Sequence, residues 1–218
     1  MNNFQKMGGI AALINAAAYV VGFGMAFTLL APIINSDADT FVAFLVNNQT
    51  LMFIWHLIIY LVAGVFMVPL VLALHERLKS NATAMMQVAT AFGLIWAGLI
   101  IASGMLLVTD AGVVSDLYRT DPTQAKTVWL ALSSVESALG GKPELPGGLW
   151  ALLLSWTALQ VGGLPRLLNY LGLVIGTAGI VSVVPALAES AGTIFGLGFV
   201  LWFIWAGIVM LRTRSSAA

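Results

Sequence analysis

The sequence predicts an all-α fold, a polytopic transmembrane helical bundle of about six spans plus one extracytoplasmic amphipathic helix. Three observations predict it. First, 60% of the 218 residues are hydrophobic and only 8% are charged, against roughly a quarter charged in a soluble domain. A soluble protein must cover its outside with polar groups, and this chain has too few, so lipid has to be part of its solvent. Second, the apolar residues fall in long runs separated by short polar, Gly and Pro clusters. Third, a span needs about 20 apolar residues, because the hydrocarbon core is roughly 30 Å thick and a helix rises about 1.5 Å per residue. Six such spans use up nearly the whole chain, which leaves one transmembrane domain over residues 1–218.

The first span is expected at about Gly8–Ile34. Its apolar stretch is far longer than the roughly 7–15 residues of a signal peptide, so it is expected to be retained. A polar loop with Asn35, Ser36, Asp37 and Asp39 leads through a short apolar stretch to Asn47, Asn48 and Gln49. The second span covers about Leu51–Leu74, with a kink expected at Pro69. The third covers about Ala84–Val108. Thr109–Lys126 is the most polar stretch. After it Val128, Trp129, Leu132, Val135 and Leu139 recur at helical spacing, which predicts an amphipathic helix over about Thr123–Leu139. Gly140–Gly141 ends it, and Lys142 to Gly148 is read as a break in helical structure. The last three spans are expected at about Leu149–Leu164, Leu167–Leu187 and Ala191–Leu211.

Orientation follows from Lys and Arg in alternate loops. Lys6, Arg77, Lys79, Arg166, Arg212 and Arg214 fall on one side, and only Arg119, Lys126 and Lys142 on the other. The first side is expected to be cytoplasmic, with both termini. The formal net charge is zero and no basic run suggests nucleic acid. With no cysteine, thiol catalysis, disulfides and iron–sulfur ligation are excluded. No lysine lies within a span for a retinal Schiff base, and no H-E-x-x-H, G-x-S-x-G or phosphate-binding Gly-rich loop is present. No cofactor and no metal site are expected.

Five residues form the candidate ligand site: Trp55, His56, Tyr60, Glu136 and Glu144. His56 is the clearly intramembrane ionisable side chain, and such groups are functional candidates because they are costly to keep in lipid. Tyr60 stands one turn further on the same face and offers a hydroxyl. Glu136, Lys142, Glu144 and Glu189 are expected near the outer surface, where they could ring a pocket under the amphipathic helix. The competing interpretation is a neutral imidazole bonded within the bundle and a solvated loop with ordinary charges. His75 ends the same helix on the opposite side, roughly 28 Å away along the axis, so the two histidines cannot share one metal.

Small residues recur every four positions at Gly8, Ala12 and Ala16, Gly22 and Ala26, Gly93 and Ala97, Gly98 and Ala102, Gly172 and Gly176, and Gly192 and Gly196. This spacing lets helices approach closely, inside the bundle or against another subunit.

The run Gly140-Gly141-Lys142-Pro143-Glu144-Leu145-Pro146-Gly147-Gly148-Leu149-Trp150, the later Gly163-Leu164-Pro165-Arg166 with Tyr170-Leu171-Gly172, and the closing Trp202-Phe203-Ile204-Trp205-Ala206-Gly207-Ile208 resemble an uncharacterised family of bacterial six-helix integral membrane proteins, a domain of unknown function. The resemblance implies six helices in a bacterial or archaeal inner membrane and supplies no activity. The sequence favours the first of three functions and leaves the other two as alternatives. The first is a non-enzymatic accessory or scaffold subunit, partnered by membrane lipid and by another membrane protein or a second copy. The next is binding or transport of a small apolar or amphipathic ligand in an outer-half pocket. The last is a membrane enzyme acting on lipid, with His56, Glu136 or Glu144 as acid or base.

Overall fold

The computed structural model describes residues 3–141 and 144–212, and every regular element among them is helical. In chain order these are α1 Asn3–Thr28, α2 Ala38–Asn47, α3 Gln49–Leu78, α4 Thr83–Tyr118, α5 Pro122–Glu136, α6 Leu145–Val161, α7 Arg166–Val181 and α8 Ala188–Arg212. By length and composition, α1, α3, α4 and α8 can each cross a membrane. The apolar helices α6 and α7 are shorter, at 17 and 16 residues. At about 1.5 Å per residue they reach roughly 25 Å, slightly less than the hydrocarbon thickness.

These six helices close into a ring. α1 packs on α3, α3 on α4, α4 on α6, α6 on α7, α7 on α8, and α8 returns to α1. The tightest seam joins α6 and α7. A β-carbon on Gly148 would stand 2.8 Å from the Gly176 carbonyl oxygen, and one on Gly176 would stand 2.6 Å from the Leu152 nitrogen. Only glycine lets the two backbones meet at that distance. The turn between them carries Gly162 at φ 81° and Gly163 at φ 91°, a region where a side chain is strained. Arg77 Nε of α3 donates to the Gly163 carbonyl at 2.8 Å and ties this turn to the neighbouring helix.

Aromatic rings fill the middle of the ring of helices. Trp150 of α6 lies 5.8 Å from Trp96, 5.9 Å from Phe199 and 5.6 Å from Trp202 between ring centroids. The outside is apolar as well: Val20, Val65, Ile95, Met105, Val174 and Leu201 are all exposed. A soluble monomer rarely presents such a continuous apolar surface, whereas lipid requires it.

Beyond the ring, α2, α5 and the far end of α4 form a small cap around buried Val42, Leu45, Val114 and Ala125. Phe41 of α2 stacks on Trp129 of α5 at 4.6 Å, and Lys126 pairs with Asp39 across the same seam. Both cap helices have their first turns fixed by an aspartate. Asp37 accepts from the Thr40 N–H at 2.8 Å, and Asp121, with Pro122 behind it, accepts from the Gln124 N–H at 3.0 Å. The Thr40 N–H holds the Asp37 carboxyl below the usual carboxylate range.

Several sequence expectations are corrected. α1 stops at Thr28, and residues 29–35 turn toward α2 rather than extending the first span to Ile34. α4 does not end at Val108. It runs on to Tyr118 because Val114 and Leu117 pack into the cap while Asp116 stays exposed. The amphipathic helix exists as α5, but Val135 is exposed and Glu136 is the residue turned inward. The stretch Leu145–Gly148 is not a break but the first turn of α6, with Pro146 where helices tolerate it and both glycines buried. In α3 the hydrogen-bond ladder widens to a π turn at Leu57–Val62, while Pro69 sits within regular α-helix. Lys142 and Pro143 lie outside the described residues.

Candidate functional site

His56 closes the first part of α3, and the π turn Leu57–Val62 begins at the next residue. Ser137–Gly141 forms a second π turn directly after Glu136. Such turns insert an extra residue and are frequent at functional sites. The first is accommodated by glycine on both flanks. A β-carbon on Gly22 of α1 would collide with Ile59, and one on Gly104 of α4 would stand 2.6 Å from the Tyr60 β-carbon.

The π turn delivers Tyr60 into the bundle, where its hydroxyl donates to Glu136 Oε1 at 3.0 Å. Glu136 is buried, so this bond joins the cap to the ring of helices. Trp55 Nε1 donates to the Gly22 carbonyl at 3.0 Å. The His56 ring lies 5.1 Å from Trp55 and 6.1 Å from Tyr60 between centroids. It is 3% exposed, and its Nδ1 has no hydrogen-bond partner. A buried unpaired polar atom costs about 1–3 kcal/mol.

Glu144, half-buried, stands at the N-cap of α6. Its N–H donates to Ser182 Oγ at 2.9 Å, and the Ser182 hydroxyl donates in turn to the Gly179 carbonyl at 2.7 Å. Its carboxyl accepts from Trp96 Nε1 at 3.2 Å. Burial pushes that carboxyl up to about 8. The Trp96 N–H opposes the rise and the nearby Glu136 adds to it.

Two cavities of about 200 Å³ each meet at Trp55 and Tyr60. The first lies between α1, α3, α4 and α8 beneath Glu144, and Tyr19, Trp96, Phe195 and Phe199 line it. Gly22, Gly192 and Gly196 also line it, and a β-carbon on Gly192 would meet nothing within 4 Å. The second lies under the cap, lined by His56, Asp110, Trp129 and Glu136 among others.

The structure therefore brings Trp55, His56, Tyr60, Glu136 and Glu144 around this paired chamber. Glu189 is exposed in the first turn of α8 and lines neither cavity. His75 is engaged at the other end of α3, its Nδ1 2.8 Å from Thr90 Oγ1 and 3.2 Å from the Met86 carbonyl. Among the described residues no three His, Asp or Glu side chains gather as metal ligands. Sequence reasoning missed Tyr19, Trp96, Phe195 and Phe199. One signal was available for Trp96, a mid-span indole whose N–H needs a partner. The Gly192–Gly196 spacing was visible but suggested close helix packing, not a cavity wall.

Of the small-residue rows, Gly8, Ala12 and Ala16, Gly93 and Ala97, and Gly172 and Gly176 are buried within the bundle. Gly98 and Ala102 are exposed and face away from it.

No curated protein and no solved structure matches this chain. A family model described as a domain of unknown function (DUF4386) matches residues 7–207, far beyond the C-terminal motifs that carry the resemblance. That match covers all of α8 up to Gly207, the whole cap and every residue of the paired chamber, so the chain belongs to the DUF4386 family.

Proposed function

We propose that this protein is a multi-pass inner-membrane protein that binds or carries a small amphipathic ligand in the chamber between its cap and its transmembrane ring. The observation that carries this is the convergence of cavity and unpaired chemistry at one place. A largely apolar enclosure has a few polar anchors, the usual composition of a small-molecule site. His56 Nδ1, buried beside it without a partner, awaits a donor or acceptor. The His56→Phe variant roughly keeps the volume and removes that group. Ligand retained through purification in nanodiscs should fall about tenfold, the worth of one hydrogen bond, with the helical fold unchanged. Retention equal to wild type would count against the chamber.

The accessory or scaffold function keeps one specific support. The Gly98–Ala102 row, exposed on α4, suits a docking face for another helix. A stoichiometric protein partner lost on Gly98→Leu would favour it.

For topology, we place six spans in the membrane of a bacterium or archaeon, both termini in the cytoplasm and the cap outside, from the Lys/Arg asymmetry. Reporter fusions at Ala82 and Ala218 should read cytoplasmic and one at Thr120 periplasmic. A periplasmic signal at Ala218 would mean an odd number of spans.

A further inference from the structure

Building on the ligand-binding function, we infer that the cavity beneath Glu144 takes an organic cation, an ammonium or comparable positive group on a small apolar body. Seven aromatic residues line it from α1, α3, α4 and α8: Tyr19, Phe23, Trp55, Tyr60, Trp96, Phe195 and Phe199. The Trp96 ring lies 5.6 Å from Phe195 and 5.1 Å from Phe199, so the rings form a continuous wall. Aromatic faces are electron-rich, and a cation within about 6 Å of a ring centroid is attracted, most strongly where water is excluded. Glu144 supplies a carboxyl group at the same cavity, and among the described residues no Lys, Arg or His lines it. The adjoining cavity also carries carboxyl groups beside aromatic rings: Asp110 and Glu136 line it with Phe41, Trp129 and His56. An anion in the cavity beneath Glu144 would meet a carboxyl group and no cationic side chain among the described lining residues. A neutral apolar guest would leave the Glu144 carboxyl with the Trp96 N–H and no opposite charge among the described lining residues. A cation satisfies both the rings and the carboxylate.

A choline headgroup of lipid shares the ammonium but brings a phosphate, for which no cationic side chain among the described residues faces either cavity. The geometry therefore favours a free organic cation over a lipid headgroup.

The test uses the full chain in phosphatidylglycerol nanodiscs at pH 9. Radiolabelled benzyltrimethylammonium is compared with neopentylbenzene, the uncharged isostere in which carbon replaces nitrogen. Site-specific binding is the part removed by Gly192→Leu, which places a side chain at the cavity wall where a β-carbon meets nothing within 4 Å. The cation should bind at least tenfold more tightly than the isostere. Glu144→Gln should weaken the cation at least tenfold and leave the isostere within about twofold. Should Glu144→Gln fail to fold, the comparison of the two probes on the wild-type protein still decides. Isostere bound as tightly as cation would overturn the cationic assignment and leave the ligand site standing. Specific binding of neither probe would overturn both. Displacement of the cation by added phosphatidylcholine would identify a lipid headgroup as the source of the ammonium, and no displacement would identify a free cation.

Discussion

Trp150→Ala should destabilise the bundle by about 3–5 kcal/mol, as removal of a large buried aromatic does in other cores. Trp150 is 1% exposed and touches the rings of Trp96, Phe199 and Trp202, so it links α6 to α4 and α8 across the middle of the ring of helices. Helix association in lipid draws little on the hydrophobic effect, because lipid tails are as apolar as the side chains. The loss would come from dispersion contacts on every side of a void that neither water nor lipid can fill. Trp156 lies on the same helix but is 49% exposed. Trp156→Ala should stay within about 0.5 kcal/mol of wild type. Unfolding by denaturing detergent titration would compare the two, and equal losses would mean that the aromatic centre does not hold the bundle.

The second large effect is a pH dependence set by Glu144. Burial disfavours the charge and pushes its carboxyl up to about 8, above the ordinary 4.5. The groups around it are the Trp96 indole, the Ser182 hydroxyl, the Tyr19 and Tyr60 phenols and the Glu136 carboxyl. None of the described ones is a cation. Because the folded pKa is raised, the carboxyl costs nothing while protonated in both states. The cost of burying the carboxylate grows as pH rises from about 4.5 to about 8 and is complete above that. Wild-type stability should therefore fall relative to Glu144→Gln through this window, by at most about 1.4 kcal/mol per pH unit. Partial exposure and the Tyr60–Glu136 network reduce that slope. Binding of an organic cation should run the other way. It displaces one proton, so affinity should rise up to about tenfold per pH unit below pH 8 and level off above it. A flat profile for both stability and binding would remove Glu144 from the site.

The long helices were legible because lipid imposes a single requirement, an uninterrupted apolar run, which composition reports directly. Where tertiary contacts decided the outcome, hydropathy misled. The end of α4 carries Asp110 and Asp116, which look like loop residues by composition. Asp116 occupies a face that Val114 and Leu117 leave to solvent, Asp110 turns to the cavity under the cap, and the cap holds the helix to Tyr118. The short helix α2 falls where hydropathy suggests only a polar connection with a short apolar stretch, and Asp37, a residue type that caps helix starts, was its one local signal. Gly147 and Gly148 illustrate the opposite error. Glycine suggested an interruption, but its role here is to let α6 meet α7 and the Trp96 and Phe195 rings. Within the site, His56 stood out because ionisable groups are costly in lipid, Tyr60 because it shares the His56 face, and the two glutamates because they were expected near the outer surface under the amphipathic helix. The π turns did not, since Leu57-Ile58-Ile59-Tyr60-Leu61-Val62 reads as ordinary helix. The first depends on neighbours distant in sequence, Gly22 and Gly104, which make room for it.

Mass spectrometry of small molecules released from the purified protein, wild type against Gly192→Leu in the same nanodiscs, tests ligand binding most directly. Gly192 lines the aromatic cavity, and a β-carbon there meets nothing within 4 Å, so leucine occupies space without displacing the bundle. The chamber account predicts a molecule released in stoichiometric amount from the wild type and at least tenfold less from the variant, with both proteins equally helical and equally stable. Equal release from the two, or release of bulk nanodisc lipid alone from both, would contradict it.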